Sequence, residues 1–275
     1  MPGASFVTRS KGVIHLVGED LPLNSDVPTP TVLTSTAQST IGPLRAWQWL
    51  VRAFRDVEST PMGGLLLGNV WPAYLFALPL AARLWGFLHN QRDSSLHAQA
   101  QWLQELVTIV FLALVVLLFA IRRRRISSDH ATLVPGLVAL VGTFLLNVVA
   151  YLPVEDTTST EALFASSAIV IVGTLWTIWS LAFLGRCFGL FPEVRGLVQR
   201  GPYRLVRHPV YLGELISAVG MLVAKPHPLI VLIFVVFVAL QYGRTIYEER
   251  ALSAAFPEAY PSYAQRVGRL IPGWR

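Results

Sequence analysis

The amino-acid sequence predicts an all-α integral membrane protein of about six transmembrane helices, the last two forming a hairpin that leads into a cytoplasmic C-terminal segment. Three observations predict this. Of 275 residues, 53% are hydrophobic and 14% charged, with a mean hydropathy of +0.53; so little polar surface cannot coat a soluble globule of this size, and lipid must be part of the solvent. Apolar runs able to cross ~30 Å of hydrocarbon recur along the chain. Lys and Arg fall on alternate connections between those runs, the pattern that fixes orientation in a membrane.

Residues 1–42 are rich in Ser, Thr and Pro, TPTVLTSTAQST being the clearest stretch, and read as a poorly ordered cytoplasmic tail. The N-terminal MPGASFVTRSKGVIHLVGEDLPLNSDV has no uninterrupted apolar core before a small-residue cleavage site, so insertion is expected to use internal segments. Residues 43–60 follow, with Leu44, Trp47, Val51 and Phe54 at helical spacing and Arg45, Arg52 and Arg55 among them. That pattern suits an amphipathic helix in the membrane interface. Four transmembrane helices are expected within 64–184, at about 64–84, 103–121, 132–152 and 163–184. Two shorter ones follow at 209–224 and 228–241, joined by AKPHP, whose two prolines force a tight turn.

With both termini placed in the cytoplasm, the inside segments hold 19 of the 22 basic residues, including Arg122 to Arg125. The outside loops keep Arg83, Arg92 and Lys225. This distribution explains a net charge of +6 without nucleic acid, because the arginines form no separate basic domain. A single cysteine, Cys187, excludes an internal disulfide, and six scattered histidines lack metal-ligand spacing. No Walker motif, no GxGxxG after a strand and no strand–helix alternation suggest a soluble nucleotide-binding domain.

Residues 185–275 differ in character. LGRCFGLFPEVRGLVQRGPYRLVRHPVYLGE, residues 184–214, sets five arginines among turn-forming Gly and Pro. Pro209 is suited to the first turn of a helix, which puts Arg207 and His208 at a helix N-terminus, where free amides and the dipole attract anions. Glu214 lies just inside that helix, an expensive position for a carboxylate unless it faces a cavity or a partner. The hairpin returns Arg244, Tyr247, Glu248, Glu249 and Arg250 to the same face.

GPYRLVRHPVYLG, RTIYEERAL and FPEAYPSYAQRVGRLIP, in this order, resemble the isoprenylcysteine carboxyl methyltransferase family and its phospholipid methyltransferase relatives. The family's RHPxYxG falls on Arg207, His208, Pro209, Tyr211 and Gly213, its paired glutamates on Glu248 and Glu249, and its closing pattern on Tyr260, Tyr263 and Pro272. The resemblance covers 184–275. It implies that 185–275 is a catalytic region holding S-adenosylmethionine at the cytoplasmic face, with Tyr203, His208, Pro209, Tyr211, Leu212, Gly213, Tyr247 and Glu248 around the cofactor. Arg207, Arg244, Glu249 and Arg250 are the implied catalytic residues. The cofactor's carboxylate would suit Arg207 and His208, and its ammonium or ribose hydroxyls either Glu248 or Glu249. A carboxylate acceptor would be oriented by Arg244 or Arg250, whereas an amine would need a base such as Glu249. The implied acceptor is lipophilic, a prenylated cysteine-like molecule or another lipid entering from the membrane.

Simpler readings stand beside these. Arg122 to Arg125 read as topology determinants, Cys187 as a packing residue, and Tyr203, Tyr260 and Tyr263 equally as interfacial aromatics. Two other functions compete: an NADPH-dependent sterol-type membrane reductase, and a non-enzymatic membrane protein retaining the fold.

Overall fold

Hydropathy orders the helices, and local chemistry starts each one. The computed structural model describes residues 46, 48–49, 52–53, 56–57, 60–89, 95–123, 133–152, 159–191 and 193–274. The expected tail and most of the interfacial helix lie outside the described residues. All the elements below belong to one compact unit, Gly42–Arg275.

Helix α1 (Pro61–Leu65) begins with proline in its first turn, while the Thr60 hydroxyl accepts from the Gly63 amide at 3.0 Å. A π turn, Leu66–Val70, carries it into α2 (Trp71–His89). Ser95 caps α3 (Leu96–Ile121), and Ser159 caps α5 (Thr160–Leu184). Between them α4 (Leu133–Phe144) tightens into a 3-10 helix, Leu145–Tyr151. Then come α6 (Pro209–Ala224), α7 (Pro228–Ala255) and the short α8 (Ala259–Arg266).

Met62–His89, Ala98–Ile121, Thr160–Cys187 and Pro228–Ala255 are long and apolar enough to cross a membrane. Val134–Asn147 and Pro209–Ala224 are shorter apolar helices. The chain is an integral membrane protein whose described residues hold these four long spans and two shorter apolar helices, where hydropathy leads to an expectation of six crossings. The helix expected to stop near residue 241 runs on to Ala255. Loss of hydropathy marks the edge of the hydrocarbon, but Arg, Glu, Ala and Leu are strong helix formers, so the same helix continues into the polar region.

Small residues set the closest packing. A Cβ on Gly173 would stand 2.6 Å from the Ser217 amide, and one on Gly213 would stand 2.2 Å from Thr177 Oγ1, so α5 and α6 approach almost backbone to backbone. Ser166 Oγ, on α5, donates to the Gly220 carbonyl of α6 at 2.7 Å. An apolar core of Phe76, Val115, Phe119, Leu181 and Phe188 ties α2, α3 and α5 to the segment after α5, with the Phe119 and Phe188 rings edge to face at 5.1 Å.

Arginines at one end of the bundle bond the helix ends together. Arg122 is buried and donates to Asn69 Oδ1 and the Gly68 carbonyl, joining the end of α3 to the π turn before α2. Burial, with Arg195 beside it, lowers its pKa to about 10. The Arg123 amide donates to the Arg186 carbonyl at 2.8 Å, and Arg195 donates to the Arg123 carbonyl. These bonds hold the segment after α5 against the end of α3.

Candidate functional site

The GPYRLVRHP stretch is shaped by its glycine and prolines. Gly201 has φ 60, and any side chain there would strike the Phe183 ring. A 3-10 turn, Gly201–Arg204, then gives way to an irregular strip, Val206 to His208. This strip pairs with the chain after α8: the Arg207 amide donates to the Gly268 carbonyl at 2.8 Å and the His208 amide to the Arg269 carbonyl at 3.1 Å, around a parallel bridge between Val206 and Gly268. Pro209 then opens α6, and the Trp176 indole donates to its carbonyl at 2.9 Å.

Helix α7 lays Gln241, Arg244 and Glu248 along one face toward α6, at the three- and four-residue spacing of a helical stripe. The Tyr211 hydroxyl donates to Glu248. His208 lies between two carboxylates, Nδ1 at 3.5 Å from Glu248 and Nε2 at 3.1 Å from Glu249. Glu249 also receives Arg207 Nη1 at 2.9 Å and a two-pronged contact from Arg269 at 2.9 and 2.7 Å. One turn deeper, the Arg244 guanidinium stacks over the Tyr211 ring at 4.5 Å and donates to Gln241 Oε1 at 3.0 Å, while Gln241 Nε2 donates to Glu214. Glu214 pairs with Arg244 at 3.8 Å.

Burial alone would push the His208 imidazole down, but its hydrogen bonds to Glu248 and Glu249 outweigh this and hold it above its ordinary 6.5. A group whose folded pKa is raised stabilises through its charged form. That stabilisation is complete below pH 6.5 and is lost as pH rises through the elevated value. In detergent, the unfolding temperature of wild type should exceed that of His208→Gln at pH 6, and the gap should narrow as pH rises. A pH-independent gap would show that the imidazole contributes as a neutral group.

These residues form the polar wall of a cleft that opens to the outside at its mouth. Arg207, His208, Tyr211, Glu214, Arg244 and Glu248 line that side. Phe76, Phe111, Val115, Leu181 and Leu184 face it from α2, α3 and α5, and residues 187–191 and 193–198 line it from the segment after α5.

Of the residues singled out by sequence, Tyr203, Arg207, His208, Tyr211, Arg244 and Glu248 line this cleft. Glu249 sits behind it as the hub for three cationic side chains. Pro209 is buried at the start of α6, Gly213 is buried against Thr177 of α5, and the Leu212 amide closes the first turn on the His208 carbonyl at 3.2 Å. Tyr247 lies outside the cleft, near Pro135 and Ala139 of α4, and Arg250 is exposed, 6.0 Å over the Tyr247 ring. Sequence reasoning did not single out Gln241, Arg269 or Arg195. Gln241 carries a usable signal, a lone amide within an apolar run; Arg269 carries none, since only the strand-like pairing of Gly268 brings it to Glu249. Among the described residues, no group of His, Cys, Asp and Glu could hold a metal ion.

Residues 158–259 match the phospholipid methyltransferase family. Over 110 residues the chain is 36% identical to protein-S-isoprenylcysteine O-methyltransferase A of Arabidopsis thaliana, covering 38% of this chain and 56% of that protein. Over 106 residues it is 32% identical to the cobalt-zinc-cadmium resistance protein CzcN of Cupriavidus metallidurans, covering 38% of this chain and 45% of that one. The chain spans about half the length of the curated relatives it matches. A solved structure of the eukaryotic intramembrane Ras methyltransferase ICMT (isoprenylcysteine carboxyl methyltransferase) aligns with a TM-score of 0.44 at 16% identity, over 84% of this chain and 86% of that one.

Proposed function

We propose, on the match of residues 158–259 to the phospholipid methyltransferase family and the likeness to a protein-S-isoprenylcysteine O-methyltransferase, that this chain is a membrane-embedded methyltransferase moving a methyl group from S-adenosylmethionine to a lipophilic acceptor. The observation that carries the reading is one cleft with two unlike walls: a charged wall suited to a zwitterionic nucleoside and an apolar wall suited to a lipid chain.

The residues present fit such a donor. Arg207 Nε is buried and makes no hydrogen bond among the described residues, leaving an N–H for an anionic oxygen. Glu248 offers carboxylate oxygens to an ammonium or to ribose hydroxyls, and Tyr203 and Tyr211 supply ring surface at the cleft for a cation. When bound, S-adenosylmethionine supplies a methyl group already activated by its sulfonium.

The chain itself then has to align the partners and keep water out. Arg244 is suited to orient an acceptor oxygen, because Tyr211 beneath it and Gln241 beside it hold the guanidinium still. Arg250, exposed over Tyr247, has no such support. Glu249 serves as the ionic anchor that keeps Arg207, His208 and Arg269 together, more than as a base. The apolar wall would admit a prenylated cysteine-like or other lipid acceptor from the bilayer. In this reading the arginine-rich end, both termini and the donor site face the cytoplasm.

Calorimetry with S-adenosylhomocysteine on detergent-purified protein, with NADPH as control, tests the proposal. Saturable binding of the adenosyl compound alone is expected. Binding of NADPH alone would overturn the reading in favour of reductase chemistry.

A further inference from the structure

We infer that Arg207 Nε and the Tyr260 hydroxyl together form a carboxylate-binding corner of the cleft, and that the carboxylate it takes is the one on the amino-acid end of the methyl donor. This deepens the S-adenosylmethionine reading and rests on it. Sequence alone pairs Arg207 with His208 for that task. The structure engages His208 elsewhere, since both ring nitrogens face glutamates. Arg207 Nη1 is likewise committed to Glu249. What remains on this part of the wall is Arg207 Nε, which has no partner among the described residues, and the hydroxyl of Tyr260.

Tyr260 is 3% exposed and lines the cleft. Its hydroxyl oxygen lies against the Arg207 guanidinium, close enough to receive an N–H loosely, while its own O–H donates to no described residue. Its neighbour Tyr263, ring centroid 6.1 Å away, shows the contrast: that hydroxyl is spent on the Tyr203 carbonyl at 2.7 Å. Burial pushes the Tyr260 hydroxyl well above its ordinary value, so it keeps its proton and can donate. A guanidinium N–H can only donate, and buried donors without acceptors are costly. The Arg207 Nε–H and the Tyr260 O–H, on different elements brought together near the Val206–Gly268 bridge, are the two protons left here without a described acceptor, and an incoming oxygen would take both. The positive charge of Arg207 selects an anionic oxygen and repels an ammonium.

The test compares S-adenosylhomocysteine with S-adenosyl-3-thiopropylamine, which lacks only the carboxylate. Wild type should bind the first about tenfold or more tightly than the second, and Tyr260→Phe should remove most of that preference by weakening S-adenosylhomocysteine alone. Tyr263→Phe should lower the unfolding temperature and leave the preference intact. Equal affinities in wild type, or a Tyr260→Phe loss shared by both compounds, would overturn the inference. Weakening of N-acetyl-S-farnesylcysteine without weakening of S-adenosylhomocysteine would assign the corner to the acceptor's carboxylate and overturn it as stated. If wild type binds neither adenosyl compound, the methyltransferase reading itself falls.

Discussion

Glu248→Ala should weaken S-adenosylhomocysteine binding by about 100-fold or more. Its carboxylate receives the Tyr211 hydroxyl, stands 3.5 Å from His208 Nδ1 and lines the cleft. Hydrogen bonds to charged groups contribute about 1.5–3 kcal/mol each, and each 1.4 kcal/mol is tenfold in affinity. The substitution removes the contact expected for the ligand's ammonium or hydroxyls and also frees Tyr211, the platform on which Arg244 rests. Two comparisons make the result specific. Glu249→Ala leaves three cationic side chains without their shared anion and should lower the unfolding temperature first, because removing one partner of a buried ion pair costs about 3–5 kcal/mol. Arg123→Ala should leave binding unchanged, since the contacts made by Arg123 to Arg186 and Arg195 run through its backbone. Wild-type affinity in Glu248→Ala, or loss in Arg123→Ala equal to that in Glu248→Ala, would remove Glu248 from the binding site.

Gly213→Val should cost the fold about 3 kcal/mol or more, at the upper end of overpacking effects. The first atom of any side chain at Gly213 would meet Thr177 Oγ1 at 2.2 Å and the Gly173 carbonyl at 2.7 Å. A backbone carbonyl cannot swing aside as a flexible side chain can, so α5 and α6 would have to separate. The shift would move Tyr211 and Glu214 on the same helix, and ligand binding should fall together with stability. Gly136→Ala is the matched control: the new methyl would meet only the Phe191 ring at 3.7 Å, an ordinary contact, and alanine is the better helix former. That variant should unfold at or above the wild-type temperature in detergent. A Gly213→Val protein as stable as Gly136→Ala would contradict the close α5–α6 approach.

Gly213 also marks a limit of sequence reading. The RHPxYxG resemblance implied that this glycine contacts cofactor, yet the structure sets it against α5, where it permits helix contact. A motif identifies positions that matter without stating which surface each one meets. Arg244 and Arg250 illustrate the same limit, since two arginines six residues apart on one helix looked equivalent for orienting an acceptor. Helix rotation separates them, turning Arg244 inward over Tyr211 and leaving Arg250 exposed.

Hydropathy, prolines and charge spacing by themselves determined the all-α membrane class, the start of α6 at Pro209, the hairpin at AKPHP, and the return of Glu248 and Glu249 toward Arg207 and His208. These are local properties: transfer of apolar runs into lipid and the conformational limits of proline act within a few residues of chain. The tertiary structure alone decided the continuation of α7 to Ala255, the recruitment of Arg269 to Glu249, the locking of His208 between two carboxylates, and the burial of the Tyr260 hydroxyl beside Arg207. Each depends on segments tens of residues apart meeting across the bundle, and pairing of that kind is set by helix rotation and backbone approach, which leave no periodic signal in the chain.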